Sequence, residues 1–445
     1  MSHPLSSLSH EPSGLHCTSA PTGVPVDVFE GFFAGPIHAP ARSGDLLDHT
    51  SAQQWLQLVE WGAHTGLYTY QLPLEGMSGA HVIVGGRCLL MLSSYDYLGL
   101  IGHPAVQQGA IDAVYAHGTG TGGVRLLTGT VELHRALEHD IADFKGTEAA
   151  LAFTSGYMAA LGVIGALLGP RDRVILDGCT HRSVIDGCVL ARVPFTRFAH
   201  NDVRGLERAL EAAPTRGRTL VAVEGVYSMD GDTAPLREIV NVAQAHGAFI
   251  MVDEAHSLGA LGETGRGIGE HCGVAPEEVD LWLGSLSKAI PSCGGFIAAR
   301  QELIVYLQHG AAPFMFSAAL APASAGAALA ALHVLRREQW RVARARENAA
   351  YLRNGLRTLG FDVGRSTSCI IPVVLGDNET TFRAARALLD LGILASAVIP
   401  PAVPRGAARL RLCATAAQTR EDLDGALAAF AHLRDVLSST ARRHT

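Results

Sequence analysis

The chain has 445 residues, and at about 150 residues per domain this length suggests two or three domains. Its 35 lysines and arginines against 42 aspartates and glutamates give a formal net charge of −7, which argues against a nucleic-acid-binding surface. With 48% hydrophobic and 17% charged residues, the composition is that of a globular protein with a large core and excludes an intrinsically disordered chain.

The beginning of the chain, residues 1–50, is predicted to be a flexible tail because it is rich in Ser, His and Pro. It lacks the basic and apolar regions of a secretory signal, and the eight cysteines form no CxxC pair, so we expect a cytoplasmic protein without a metal site. A helix is predicted over 51–65 and a hairpin over 80–92. The uncharged stretch 149–170 contains polar Thr154 and Ser155 and four glycines, so it is predicted to be a buried helix near a site, with no membrane span.

From about residue 100 to about residue 300, helical patterns alternate with short apolar runs. Such alternation is typical of a mainly parallel sheet covered on both faces. The runs lie at 173–177, 193–198, 219–227, 248–256, 280–288 and 294–299. A long helix is predicted over 318–359, and runs at 369–377 and 409–413 bracket another helix. We therefore predict an α/β fold with an N-terminal segment 51–99, a large domain 100–335 and a smaller C-terminal α/β domain 336–445.

Polar residues end several of these runs, at the edge where open α/β sheets bind their ligands. They are Asp177, His181, Glu224, Ser228, Asp253, His256, Ser285, Ser287 and Lys288. Taken singly, most are better explained as helix caps or turn residues. Their convergence at one edge predicts a site.

Lys288 ends an apolar run within GSLSKAIPSCGG, and a lysine among apolar strand ends can have a lowered pKa and form a Schiff base with an aldehyde. The small hydroxylated residues before it can donate hydrogen bonds to a phosphate. Asp253 ends FIMVD, where a buried carboxylate is costly unless it meets a cation. A protonated pyridine nitrogen is such a cation, and enzymes that use pyridoxal 5'-phosphate (PLP) bind it with an aspartate in this way.

Longer motifs extend this pattern. In chain order they are SSYDYLGLIGHP, GTGTGGVRLLTGTVELHRALEHDIADFKG, DGCTHRS, VYSMDGD, MVDEAHSLGALGETGRG, DLWLGSLSKAIPSCGGF and PPAVPRGAARLRL. Through them the chain resembles the α-oxoamine synthases, which are PLP-dependent transferases of fold type I, over about residues 55–435. The resemblance implies a homodimer that condenses a small L-amino acid with an acyl thioester. The acyl group of this thioester would be carried by coenzyme A or by a carrier protein. CO2 leaves, and the product is an α-aminoketone.

The resemblance also implies which residues act on the cofactor ring. Lys288 would carry the cofactor and then move the proton of the amino-acid Cα. Asp253 would hold the pyridinium, and His181 would stack on the ring. His256 and Ser228 would hydrogen-bond the region of the ring's 3-oxygen.

Phosphate and substrate contacts follow by the same resemblance. The phosphate would be bound by backbone amides at the start of a helix, by serine hydroxyls and by a serine of the neighbouring subunit. These residues are Ser155, Gly156, Tyr157, Ser285, Ser287 and, across the subunit interface, Ser317. Arg411 would bind the substrate carboxylate, a task that suits a guanidinium, and Tyr95 would lie beside the substrate.

Several residues depart from the family's pattern. Tyr95 and the motifs DEAHS and PPAVP resemble those of the serine palmitoyltransferase group. This resemblance favours L-serine as the amino-acid substrate, ahead of L-alanine or glycine. Ile399, however, stands where bacterial members of that group have a mobile arginine. Ser285 replaces a threonine, Pro291 stands where glycine is usual, and Gln418 replaces a histidine. We therefore expect a diverged member of the family.

Two alternatives stay open. An aminotransferase or aldolase of the same fold would share Lys288 and Asp253 but not the whole 118–146 segment. A non-catalytic partner subunit would lack the Schiff-base lysine, so Lys288 argues against it. Within 118–146, Arg125 and His134 are explained as well by packing as by substrate contact.

Overall fold

The computed structural model describes residue 44 and residues 46–212 and 217–441, so the predicted tail 1–50 lies almost entirely outside the described residues. The strands are β1 (His81–Val84), β2 (Arg87–Met91), β3 (Ala149–Phe153), β4 (Arg173–Asp177), β5 (Phe195–Phe198), β6 (Thr219–Glu224), β7 (Phe249–Asp253), β8 (Leu281–Ser287), β9 (Pro291–Ala299), β10 (Ile370–Gly376), β11 (Ile393–Leu394), β12 (Ser396–Val398) and β13 (Ala408–Cys413). The helices are α1 (Thr50–Thr65), α2 (Pro104–His117), α3 (Glu132–Lys145), α4 (Gly156–Leu167), α5 (Arg182–Ala191), α6 (Val203–Glu211), α7 (Leu236–Ala245), α8 (Ile268–Cys272), α9 (Gln301–Gly310), α10 (Ala312–Met315), α11 (Pro322–Arg337), α12 (Trp340–Thr358), α13 (Asn378–Asp390) and α14 (Arg420–Ala441).

The centre of the structure is a seven-stranded sheet with the order β3-β9-β8-β7-β6-β4-β5. Its strands pair in parallel from β8 to β5, whereas β9 runs antiparallel between β3 and β8. The predicted mainly parallel α/β sheet is therefore confirmed. The register places Glu224 beside Asp253, and Asp253 beside Leu283, so the carboxyl ends of β6, β7 and β8 meet at one edge.

Helices cover both faces of this sheet. Successive residues of β7 alternate between two apolar clusters: Ile250 and Val252 pack in one, and Met251 packs in the other. Helices α3, α7 and α11 contribute to the first cluster, and α4, α5 and α9 to the second. Burying each such aliphatic side chain stabilises the fold by about 1.5–3 kcal/mol. Two buried faces explain why these strands read as continuous apolar runs.

Two smaller sheets complete the fold. Antiparallel strands form the sheet β10-β13-β12, which carries Arg411 opposite Ser396. The predicted hairpin is β1–β2, and β11 joins it in parallel. The division into domains at residue 335 stays a prediction. Of the helices in the described residues, none is both long and apolar enough to cross a membrane.

Two helix predictions were wrong in extent. The stretch 149–170 is a strand followed by a helix, β3 and α4, because its first residues pair with β9 at the sheet. A short apolar run has no period that separates a buried strand from a buried helix. The stretch 318–359 is two helices, α11 and α12, interrupted at Glu338, whose carboxylate binds the side chains of His103 and Arg341.

Candidate active site

Lys288 directly follows β8, at the edge where β6, β7 and β8 end. Its Nζ lies 5.7 Å from the centre of the Tyr95 ring, so these two predicted site residues face each other. Burial lowers the pKa of Lys288, and the negative charge of Asp253 opposes this shift only in part. A lower pKa increases the fraction of neutral amine, which is the form that attacks an aldehyde and accepts a proton.

Asp253 is the last residue of β7, and its side chain is buried. Its Oδ1 accepts a hydrogen bond from the backbone N–H of Ala255 at 2.9 Å. Burial raises the pKa of Asp253, while the charges of His181 and Lys288 lower it again in part. A buried carboxylate in this position stabilises a cation that is brought to it.

Glu224 is a site residue to which the sequence analysis gave no role. It lies beside Asp253 on the neighbouring strand and is buried as well. Burial, followed by the negative charge of Asp253, raises the pKa of Glu224 well above its usual value, although the backbone N–H groups of His181 and Ser228 lower it in part. Two buried carboxylates this close do not both ionise. The raised pKa favours the protonated form of Glu224.

The N-terminus of α4 lies against the end of β8. Ser155 caps the helix, because its hydroxyl accepts a hydrogen bond at 3.1 Å from a backbone N–H of the first turn. Gly295 is packed so closely that a Cβ there would lie 2.3 Å from the backbone nitrogen of Gly156. The hydroxyls of Ser285 and Ser287 are 2.7 Å apart, and a Cβ on Gly156 would lie 3.6 Å from the Cβ of Ser285. Helix N–H groups and hydroxyls together form a cradle suited to an anion.

Tyr97 is a second residue that the sequence analysis missed. It is fully buried, and its hydroxyl lies 2.7 Å from Nδ1 of His256. Burial, and then the charges of Lys288 and Arg411, lower the pKa of His256 well below its usual value. The neutral ring has one donor and one acceptor nitrogen. Tyr97 lies in the motif SYDYLGL, of which the sequence analysis gave a role only to Tyr95.

Arg411 lies on β13 with only 9% of its surface exposed. Its Nε donates a hydrogen bond to the carbonyl of Ser228 at 2.6 Å, and its Nη1 lies 3.2 Å from Sγ of Cys413. Ile399, which follows β12, is buried and carries no charge. The hydrogen bond to the Ser228 carbonyl thus fixes the orientation of the guanidinium.

His181 and Tyr157 lie at the start of two neighbouring helices. His181 caps α5, its side chain is exposed, and its Nδ1 lies 2.8 Å from the hydroxyl of Ser183. The Tyr157 hydroxyl donates to the carboxylate of Asp186. The Tyr157 side chain is engaged there, and a phosphate contact of its backbone amide stays a prediction.

Segment 118–146 packs against the loop that contains Ser317. An isolated bridge joins the two, and Nε2 of His134 lies 2.7 Å from the carbonyl of Leu320. Arg125 forms a buried ion pair with Glu138 at 2.8 Å. These contacts give Arg125 and His134 packing roles. The role of Ser317 at a neighbouring subunit's phosphate stays a prediction.

Gln418, which departs from the family's pattern, is part of the core. Its Oε1 accepts a hydrogen bond from the backbone N–H of Thr415 at 3.0 Å, and its Nε2 donates to the carbonyl of Met91 at 2.9 Å. Pro291, another departure, begins β9 opposite Ser287. Both substitutions are accommodated by the fold.

These residues have the chemistry that PLP requires. The cradle at α4 offers donors for a phosphate, Asp253 offers a buried carboxylate for a pyridinium, and Lys288 offers an amine with a lowered pKa. The fold and the site together define a PLP-dependent transferase of fold type I.

Comparison with known proteins narrows this class. The chain matches the family model of aminotransferases of class I and II over residues 88–430. It is 43% identical over 370 residues to the 8-amino-7-oxononanoate synthase of Geobacter sulfurreducens, which covers 83% of this chain and 94% of the relative. The corresponding enzyme of Anaeromyxobacter dehalogenans is 45% identical over 359 residues, with 81% and 90% covered. The chain belongs to the α-oxoamine synthases.

Solved structures agree with this assignment. The serine palmitoyltransferase of S. paucimobilis with a bound PLP–myriocin aldimine has a TM-score of 0.86 at 33% identity, over 89% of this chain and all of that one. The serine palmitoyltransferase of Sphingomonas wittichii has a TM-score of 0.85 at 34% identity, over 89% of this chain and 99% of that one. The protein is therefore a PLP-dependent enzyme of the acyltransferase type, and this favours acyl transfer over the aminotransferase and aldolase alternatives.

Proposed function

We propose that the protein condenses a small L-amino acid with an acyl thioester and releases CO2 and an α-aminoketone. The observation that carries this proposal is the grouping of Lys288 and Asp253 at one strand edge, in a chain 43% identical to an 8-amino-7-oxononanoate synthase. The compound in that enzyme's name is itself an α-aminoketone. The acyl group arrives on coenzyme A or on a carrier protein.

Each residue near the ring has one task in this proposal. Bound PLP supplies an electron sink that stabilises negative charge on the amino-acid Cα. Lys288 binds the cofactor aldehyde and, as a neutral amine, moves the Cα proton. Asp253 keeps positive charge at the pyridine nitrogen, and His181 covers one face of the ring. His256 and Ser228 hydrogen-bond the region of the ring's 3-oxygen.

The phosphate and the substrate are held by further groups. We assign the phosphate to backbone amides at the start of α4, to two hydroxyls of β8 and to one hydroxyl from a second copy of the chain. They belong to Ser155, Gly156, Tyr157, Ser285, Ser287 and the second copy's Ser317. Arg411 binds the amino-acid carboxylate, and Tyr95 lies beside the substrate. The enzyme would work as a homodimer in the cytoplasm.

Two observations favour different amino acids as the substrate. The motifs SYDYLG, DEAHS and PPAVP favour L-serine. In 8-amino-7-oxononanoate, the carbon that bears the amino group carries a methyl group, which is the side chain of alanine. Because identity to the synthases of that name reaches 45%, against 34% for serine palmitoyltransferase structures, we place L-alanine first in the test.

The experiment incubates the PLP-loaded protein with L-alanine, L-serine or glycine, each with acyl-coenzyme A thioesters of the ω-carboxylated and the plain saturated kind. Free thiol is measured as it is released, and the product is identified by mass. We expect thiol release that depends on one amino acid and a product lighter by CO2 than the sum of the acyl and amino-acid parts. Amino-group transfer to a keto acid without thiol release would contradict the proposal, as would no reaction with any pair.

A further inference from the structure

His200 lies between two carboxylates at the edge that carries the site. Its Nδ1 is 2.8 Å from Oδ1 of Asp177, and its Nε2 is 2.9 Å from Oδ2 of Asp232. The Tyr227 ring meets the imidazole edge-on, with the ring centres 4.4 Å apart. We refer to Asp177, His200 and Asp232 as the His200 bridge.

The bridge joins two segments that contact the proposed cofactor site. Asp177 ends β4, and its carboxylate also accepts the backbone N–H of Cys179 at 2.8 Å, within the turn that leads to His181. Asp232 lies in the loop 225–233, here called the Ser228 loop, and its carbonyl accepts the backbone N–H of Tyr227 at 3.0 Å. His200 thus links the turn before His181 to the loop that holds Ser228.

Both ring nitrogens of His200 must donate, because each faces a carboxylate and a carboxylate only accepts. Burial alone would lower the pKa of His200, but the hydrogen bonds to Asp177 and Asp232 outweigh it and raise the pKa to about 12. The ring is therefore an imidazolium at physiological pH. Asp177, Cys179 and His200 are close enough to hold a metal ion, but an imidazolium has no lone pair to offer one.

We propose that His200 is a positioning residue of the PLP site, which sets the spacing between the turn that carries His181 and the Ser228 loop. This inference rests on the proposed roles of those two residues at the cofactor, but not on the condensation reaction. A charged ring with two fixed donors sets that spacing more rigidly than a neutral side chain with a single hydrogen bond.

The chain offers a matched control at the opposite edge of the same strands. Asp172 and Arg218 precede β4 and β6, and the backbone N–H of Arg218 donates to Oδ1 of Asp172 at 2.7 Å. The Arg218 Nη2 lies 3.1 Å from Oδ2. Arg218→Gln therefore weakens a tie between the same two strands, away from the cofactor edge.

The experiment compares full-length holoenzymes of the wild type, His200→Gln and Arg218→Gln. Loss of PLP on dialysis is followed by absorbance, and the urea midpoint is measured on the same samples. We expect His200→Gln to lose PLP on the order of 10-fold faster, which corresponds to about 1.4 kcal/mol, the size of one lost hydrogen bond to a charged group. Arg218→Gln should lower the urea midpoint but lose PLP at the wild-type rate. In the double variant His200→Gln/Asp232→Asn, two amide side chains face each other. This variant should recover part of the PLP retention that His200→Gln loses.

A wild-type rate of PLP loss in His200→Gln would overturn the inference. So would equal PLP loss in the two single variants at equal urea midpoints, because the effect would then be one of global stability. One zinc ion retained per chain after dialysis against Zn²⁺ would assign the cluster to a metal instead. If His200→Gln does not fold, Asp232→Asn removes the negative charge at one end of the bridge and gives the same comparison. Normal PLP binding without condensation would count against the proposed function alone.

Discussion

Glu224→Gln is expected to remove a pH dependence of stability while it keeps the size of the buried side chain and one of its oxygens. Glu224 is buried beside Asp253, and burial raises its pKa well above the usual value of 4.5. Between that value and the raised pKa, the folded protein binds one more proton than the unfolded chain at this group, so its stability falls as the pH rises. One proton corresponds to about 1.4 kcal/mol per pH unit. This is a large share of a typical net stability of about 5–15 kcal/mol.

The assay is urea unfolding of the PLP-free wild type and variant at one protein concentration, at a series of pH values that rises from the usual glutamate pKa of 4.5. The stability of the wild type relative to the variant should fall by about 1.4 kcal/mol for each pH unit. Glu224→Ala is the control: it removes the carboxyl group together with buried side-chain volume, so it should be less stable than Glu224→Gln by an amount that does not change with pH. A wild-type-to-glutamine difference that does not change with pH would refute the protonated Glu224.

Four further outcomes are expected. Lys288→Ala should abolish turnover while PLP still binds noncovalently, and borohydride reduction of the wild type should place the pyridoxyl group on Lys288; its appearance on another lysine would refute the assignment. Asp253→Asn should fold but turn over slowly, and a near-wild-type kcat would count against the pyridinium role. Gly295→Ala should weaken PLP binding, because its Cβ would lie 2.3 Å from the nitrogen of Gly156; unchanged affinity would argue against the cradle. Arg411→Ala should raise the amino-acid KM at least about tenfold through the loss of charge-assisted hydrogen bonds, and an equal KM would contradict carboxylate binding.

The elements that the sequence predicted well are those with one consistent pattern. The run 173–177 coincides with β4, because a charged residue stands at each end of an apolar core, Arg173 and Asp177. The stretch 149–170 was misjudged because β3 and the start of α4 are equally apolar, and only tertiary pairing with β9 makes the first part a strand. The order of strands in the sheet depends on contacts between distant segments, which no local pattern contains.

The site residues also divide into those that a local sequence pattern reveals and those that only the fold reveals. Lys288 and Asp253 could be found because each stands at the end of an apolar run, at an edge that α/β sheets use for ligands. Tyr97 could not, because its partner His256 is 159 residues away and the tyrosine reads as one more core aromatic. His200 likewise acquires its role only when the fold brings two carboxylates to its two ring nitrogens.

The Ser228 loop is held from two sides, and this bears on how one arginine can bind the substrate. On one side stands the His200 bridge; on the other, Arg409 contacts Asp230 at 2.6 Å and Arg411 donates to the Ser228 carbonyl at 2.6 Å. With its Nε engaged, the Arg411 guanidinium is oriented before substrate arrives, and its terminal nitrogens carry further N–H groups. A group oriented in advance loses less entropy on binding. A single fixed arginine can therefore hold a carboxylate without a second cation, which the uncharged Ile399 does not supply.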